Sequence, residues 1–411
     1  GADGDLYISN SASFVLQIND IGGNDTLSFQ GVMGDTVTAT MLATTTGIEA
    51  IDLAGSGNTL RLSAARVITL SDTDTLTVIG SGSDSLVFDD TGWARGATSG
   101  GFTTFTNGSA TVLVTSGIAP SGPSEGNDTL TGIDTAELIN ALGGNDSVLG
   151  MGGNDTLSGG DGNDTLNGGL GNDSMAGGAG NDVFIVDSSA DVVQDSSGTD
   201  TIMLRAASIS IVGVSVENVI GDNAAQAFSI TGNAAATRLT GGVLGDTILA
   251  YQSADTIYGL DGNDRLDGGS DNDLIDGGNG ADIIIGGTGD DAMIGGLGSD
   301  SLNGGSGADH FIFNTALGTA NVDRIQSYSA TDDTILLDDA IFTALGSPGA
   351  LAAGAFKAGA AATDADDRII YNATTGALFY DQDGNGATAA VQFATLTSIT
   401  GTITHADFLI I

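Results

Sequence analysis

Acidic residues recur every nine positions through two stretches of this chain. They stand at Asp128, Glu137, Asp146, Asp155, Asp164, Asp173 and Asp182, and again at Asp246, Asp255, Asp264, Asp273, Asp282, Asp291, Asp300 and Asp309. The best units around them, such as 159–167 and 277–285, read Gly-Gly-x-Gly-x-Asp-x-U-x, where U is large and apolar. A period of nine belongs to neither a helix nor a plain strand; it commits the chain to a solenoid in which each repeat is one turn and one short strand. Polar loops with no structural task hold no period over seven and eight successive units.

Each place in the unit has a physical reason. Glycines at places one, two and four predict a tight six-residue turn through positive φ, which a Cβ resists. The last three residues predict a strand whose middle side chain points inward. These inward residues are Leu157, Leu166, Met175 and Phe184 in the first array and Ile248, Ile257, Leu266, Ile275, Ile284, Met293, Leu302 and Phe311 in the second. Two units complete one coil, so turns eighteen residues apart stack at the strand spacing of about 4.8 Å. A hard cation fits between stacked turns, and an all-oxygen donor set of carboxylates and carbonyls selects calcium. The expected ligands are Asp128, Asp146, Asp155, Asp164, Asp173, Asp182, Asp246, Asp255, Asp264, Asp273, Asp282, Asp291, Asp300 and Asp309. Turn carbonyls of Gly160, Gly162, Gly169, Gly171, Gly178, Gly180, Gly269, Gly278, Gly280, Gly287, Gly289, Gly296 and Gly298 complete the set.

The composition agrees. Of 52 acidic residues only Glu49, Glu125, Glu137 and Glu217 are Glu, and the shorter Asp is the carboxylate that fits a tight turn. A net charge of −43 against nine basic residues opposes compaction. About ten calcium ions would cancel roughly twenty of those charges, so much of the chain is expected to be unfolded without metal. There is no cysteine, hence no disulfide staple, and dependence on a weakly bound cation implies an extracellular or cell-surface location. So acidic a chain repels nucleic acid and anionic lipid, and no apolar run reaches the length of a membrane span. The first residues, Gly1-Ala2-Asp3-Gly4-Asp5, lack an initiator Met and signal-peptide features and are read as a cut within a longer chain.

The fold class expected is all-β, a parallel calcium-binding β-roll with β-rich flanks and a carboxyl-terminal cap. Residues 1–119 form a β-rich amino-terminal domain, bounded by Pro120 and Pro123, with Trp93 as a packing residue. Residues 120–185 and 241–312 hold the two arrays, and 186–240 form an irregular β connector with the alternation of Val214–Ile220. Residues 313–411 make a cap, needed because a last coil would expose its core and a free sheet edge. Within it Leu351–Ala361 reads as a short helix.

The arrays closely resemble the RTX family, calcium-binding proteins exported by Gram-negative bacteria through type I secretion. The resemblance extends through Ala377-Leu378-Phe379-Tyr380-Asp381 and Ala390–Leu396 to Asp407-Phe408-Leu409-Ile410-Ile411, which is similar to that family's uncleaved secretion signal. It implies export of an unfolded chain, carboxyl end first, by type I machinery, and folding in external calcium. The segment Gly47–Leu53, with Asn58-Thr59-Leu60 and Ser71–Leu76, resembles the region before the terminal repeats of very large RTX surface proteins, including biofilm adhesins. The expected function is therefore that of a secreted calcium-folded region of an adhesin or surface-layer protein, partnered by surface or matrix components or by self-association. The alternative is the export and folding tail of a secreted protease, lipase or polysaccharide-modifying enzyme.

The chain itself reads as non-enzymatic. His310 and His405 are the only histidines, and neither H-E-x-x-H nor G-x-S-x-G occurs. His310, just after Asp309, is expected on a strand surface. Asp381-x-Asp383-x-Asn385-Gly386 matches half of an EF-hand loop but has Gln392 at the twelfth position, which favours a hairpin turn.

Overall fold

The computed structural model describes residues 126–411, apart from 133 and 135, together with the strands of the segment before them. Trp93 lies outside the described residues. The chain divides into two compact units, 1–182 and 183–411.

In the first unit, successive strands alternate between two sheets. Leu6–Ile8, Thr26–Phe29, Ala50–Asp52, Thr75–Ile79 and Ala110–Thr115 run parallel in one, and Thr36–Val37, Thr59–Leu62, Ser85–Phe88 and Pro120–Ser121 run parallel in the other. Such alternation is a winding coil. Leu27 pairs with Ile51 and Ile51 with Val78, so the coils here take 24 and 27 residues, too long and uneven to print a period on the sequence. An antiparallel pair, Ala94–Ser99 and Phe102–Asn107, extends the first sheet. From 126 onward the coil tightens to eighteen residues, with Leu130 over Val148 over Leu166 and Ile139 over Leu157 over Met175.

The second unit is a parallel β-roll that ends in a cap with antiparallel strands. One sheet runs through Val183–Val186, Thr201–Leu204, Asn218–Gly221, Arg238–Thr240, Thr256–Tyr258, Leu274–Asp276, Ala292–Ile294, His310–Phe313 and Thr334–Leu337 to Phe408–Ile410. The other runs from Ser208–Ser210 through Ser229–Thr231, Thr247–Leu249, Arg265–Ser270, Ile283–Thr288 and Ser301–Ser306 to Asp323–Gln326. Coils within 186–240 keep this stacking at irregular lengths: Ile202 pairs with Val219 and Val219 with Leu239. The predicted inward residues Ile248, Ile257, Leu266, Ile275, Ile284, Met293 and Phe311 are all fully buried, and so are Leu157, Leu166, Met175 and Phe184. Burial of each such side chain contributes about 1.5–3 kcal/mol, but with one apolar residue per half-coil the core is too thin to hold alone against self-repulsion.

Beyond Phe311 the narrow aliphatic core opens into an aromatic plug. Phe311 meets Tyr328 at a centroid distance of 5.9 Å, Phe313 meets Phe393 edge-on at 5.1 Å, and Phe342 meets both Phe393 and Tyr380. The strands Val391–Thr397, Ala377–Tyr380 and Ile369–Asn372 continue the second sheet past Asp323–Gln326 and cover its edge. One expectation needs correction here. The helix over Leu351–Ala361 is a single 3-10 turn, Ala353–Ala355, followed by a strand, Phe356–Ala358, because Gly354 and Gly359 weaken a helix and Phe356 pairs with Ile369. The last residues are built into the sheet: Phe408–Ile410 lies parallel to Thr334–Leu337, with Phe408 and Ile410 buried. Asp407 is buried too, and its carboxylate accepts the N–H of Thr404 at 2.7 Å.

Several turns carry a side chain where the backbone asks for glycine. Leu142, Met151, Tyr251 and Leu260, at place two, have φ between +77° and +84°. Such backbone costs a residue with a Cβ about 1–2 kcal/mol. Leu260 is also 45% exposed, so little packing compensates. Leu260→Gly is expected to stabilise the calcium-loaded protein by about 1 kcal/mol, seen as a higher urea midpoint; a lower midpoint would show that contacts of the leucine outweigh the strain.

Candidate metal centre

The aspartate at place six closes each turn and leads into the strand, so its position is fixed by the backbone on both sides. Its Oδ1 accepts the backbone N–H of the residue one coil earlier. In the first unit the N–H of Asp128 donates to Asp146, that of Asp146 to Asp164 and that of Asp164 to Asp182, while Glu137 donates to Asp155 and Asp155 to Asp173, all at 2.7–2.8 Å. In the second unit one ladder climbs from Phe228 through Asp246, Asp264 and Asp282 to Asp300, and the other from Thr237 through Asp255, Asp273 and Asp291 to Asp309. Both continue past the predicted array: Asp300 donates to Asp323 and Asp309 to Asp333, each at 3.1 Å. The structure therefore brings the predicted aspartates together in ladders, one per turn column in each unit.

The second carboxylate oxygen is the telling one. Oδ2 of Asp146, Asp155, Asp164, Asp255, Asp264, Asp273, Asp282, Asp291, Asp300 and Asp309 is buried with no hydrogen-bond partner. A buried charged acceptor left unpaired is strongly disfavoured, and stacks of them within each unit call for a counter-charge. A bound cation at these atoms fits the donor chemistry, since carboxylates and carbonyls are hard oxygen ligands.

Place one shows why it must be glycine, and the reason corrects the sequence reading. The glycines with positive φ are those at places two and four, such as Gly278 at +93° and Gly280 at +148°, and not those at place one. At place one the space itself is used: a Cβ on Gly277 would lie 2.5 Å from Asp282 Oδ2 and 2.6 Å from the carbonyl oxygen of Gly295. The same convergence of a carboxylate and a glycine carbonyl recurs at Gly150, Gly159, Gly241, Gly259, Gly268 and Gly286. Carbonyls at places two and four stack closely on the next coil, so that a Cβ on Gly296 would strike Gly278 O and one on Gly298 would strike Gly280 O. Sequence reasoning had named the carbonyls of places two and four and missed those of place one.

Electrostatics tell the same story. Burial, with repulsion along the ladder behind it, pushes Asp264 and Asp273 up to about 7, and burial raises Asp255, Asp282 and Asp309 to about 6. Hydrogen bonds from the coil below lower these values but do not offset burial. Without a cation Asp264 and Asp273 keep their protons up to about neutrality.

A second ladder was also missed. At place five Asn145 accepts the N–H of Asn163 at 2.9 Å, Asn163 that of Asn181, Asn263 that of Ala281 and Asn272 that of Asp290. It runs in the opposite sense to the aspartate ladder, and the recurrent Gly-Asn-Asp triplet was its signal. His310 is exposed on its strand. The Asp381–Gly386 segment joins two antiparallel strands, Ala377–Tyr380 and Val391–Thr397, with Asp383 accepting the N–H of Thr388 at 3.0 Å, which is a hairpin loop.

Stacked acidic turns on parallel coils define a calcium-binding β-roll. The family description RTX calcium-binding nonapeptide repeat (4 copies) matches residues 140–175, 149–184, 176–206, 240–275 and 276–311, so the chain carries two runs of RTX repeats. No curated protein matches it. Among solved structures, the AlgE6R3 subunit from the Azotobacter vinelandii mannuronan C5-epimerase is similar at 27% identity over 35% of this chain and 72% of that one, with a TM-score of 0.23. Among the described residues, no helix is long and apolar enough to cross a membrane.

The ladder geometry separates two roles of one side chain. Asp282→Asn keeps an Oδ1 acceptor for Asp264 but loses the charge; Asp282→Ala loses both. Both variants are expected to raise the calcium midpoint of folding. Only the alanine adds about 1–3 kcal/mol of destabilisation from the unsatisfied N–H of Asp264. Identical urea midpoints for the two in saturating calcium would contradict the ladder hydrogen bond.

Proposed function

We infer that this chain is the calcium-folded, export-bearing region of a secreted bacterial surface protein of the adhesin or surface-layer kind. The observation that carries the reading is the set of ten buried, unpartnered carboxylate oxygens stacked along the turns within each unit. In this reading Asp128, Asp146, Asp155, Asp164, Asp173, Asp182 and the second run from Asp246 to Asp309 hold about ten calcium ions together with turn carbonyls. Outside the cell the cation neutralises the ladder and stiffens the coils; inside, the calcium-poor chain stays unfolded enough to pass a type I exporter. The support for a surface role is the resemblance of Gly47–Leu76 to surface-protein sequence, and that for export is the acidic-apolar carboxyl terminus.

Because Phe408 and Ile410 are buried, deleting 407–411 would confuse export with folding. Leu409 and Ile411 are 37% and 40% exposed, so Leu409→Asp with Ile411→Asp changes the terminal apolar pattern while sparing the core. When the chain is co-expressed with a type I exporter, the double variant should lose most of its secretion while the purified protein folds at an unchanged calcium midpoint. Normal secretion would refute the placement of the signal.

A further inference from the structure

At the seam between the repeats and the cap, one rung has a different partner for its carboxylate. At Gly150, Gly159, Gly241, Gly259, Gly268, Gly277 and Gly286 the oxygen that faces Asp Oδ2 across a place-one glycine is a neutral carbonyl of the following coil. At Gly295 it is instead a second carboxylate: a Cβ there would lie 2.6 Å from Asp300 Oδ2 and 3.1 Å from Asp323 Oδ2. Asp300 is 2% exposed and Asp323 5%, and Asp300 Oδ2 has no hydrogen-bond partner. Glycine at 295 leaves the space between the two oxygens open.

Asp323 lies outside the nine-residue rhythm, 23 residues after Asp300 rather than eighteen, because 314–322 lengthen the coil. It opens the strand Asp323–Gln326, which pairs with Ser301–Ser306 of the roll on one side and Val391–Thr397 of the cap on the other. The side chain thus stands where the roll ends and the cap begins.

We propose that Asp300 and Asp323 form a divalent-cation site at this seam, one that the repeat pattern does not contain, and that its ion fastens the cap to the roll. The proposal rests on the reading of the ladders as calcium sites and adds a ligand to them. Two carboxylates in place of a carboxylate and a carbonyl give this site more negative charge than any rung below it, which favours calcium.

The test is Asp323→Asn in the full chain, with calcium itself as the probe and the exposed Asp339→Asn as a charge-matched control. Bound ions are counted by equilibrium dialysis, and amide exchange is followed across Asp323–Gln326 and Val391–Thr397. The asparagine retains an acceptor for the N–H of Asp300. D323N is expected to bind one ion fewer than both wild type and D339N, and to need at least about tenfold more calcium to protect those two strands. In chelator it should be protected as well as wild type or better, since a repulsive charge is gone. A merely structural hydrogen bond would predict no lost ion and no shift, and that result overturns the proposal while leaving the ladders intact. Absence of calcium binding by wild type would overturn the ladder reading itself. If D323N fails to fold at any calcium concentration, the same count on Gly295→Ala decides: the methyl group fills the gap between the two oxygens, and a full complement of ions refutes the site.

Discussion

In chelator at about pH 7.5 the repeat region should show little β structure, and either millimolar calcium or acidification to about pH 5 should restore it. The carboxyls of Asp264 and Asp273 sit at about 7 in the metal-free fold and those of Asp255, Asp282 and Asp309 at about 6, against an ordinary value of 3.8. The folded state therefore binds more protons than the unfolded state over this interval. Stability from these groups is fully present below the ordinary value and is lost as pH rises through about 6 to 7. Calcium substitutes for the protons by supplying the charge directly. Protons and calcium occupy the same oxygens and both favour the fold, so the calcium needed for folding should be lower at about pH 5.5 than at about pH 7.5. Circular dichroism over a grid of pH and calcium checks all three statements. Equal β signal in chelator and calcium at neutral pH would defeat the coupling of fold to metal.

Periodicity made the arrays legible and hid what surrounds them. Asp164 or Asp282 could be placed from spacing alone, because an eighteen-residue coil repeats the same chemistry at the same angle. Asp323 and Asp333 begin strands of the same type, Asp-x-Ile, but insertions of unequal length displace them from the rhythm, so they read as ordinary strand starts. The coils before 126 escaped for the same reason: lengths of 24 and 27 residues leave alternation without period. The buried terminal strand was illegible because its partner, Thr334–Leu337, lies more than seventy residues upstream, and an acidic-apolar tail looks alike whether it is free or paired. The role of place one could not be read either. Sequence shows that a glycine is there, and only geometry tells whether the backbone or the neighbouring carboxylate requires it.

That distinction yields the sharpest mutational contrast in the protein. Gly280 has φ of +148°, and a Cβ on it would run into the carbonyl oxygen of Gly262 directly beneath. Both faults lie in the backbone, with or without metal, so Gly280→Ala should destabilise the coil by about 3 kcal/mol or more at every calcium concentration. Gly277 has no positive φ, and its Cβ would meet only Asp282 Oδ2 and the Gly295 carbonyl. The φ angle tolerates alanine there, but a Cβ 2.6 Å from the Gly295 carbonyl crowds the next coil with or without an ion, and it fills the metal cradle as well. Gly277→Ala should therefore cost the acid-folded, calcium-free state less than Gly280→Ala does, and in addition raise the calcium midpoint at neutral pH by at least about tenfold, through displacement of two ligand oxygens. Urea unfolding at about pH 5 in chelator separates the two variants, since Gly280→Ala, with strained φ as well as a backbone clash, should lose more stability under that condition. If Gly277→Ala is equally damaged without calcium, glycine at place one serves coil packing rather than the ion, and the assignment of that space to the cation fails.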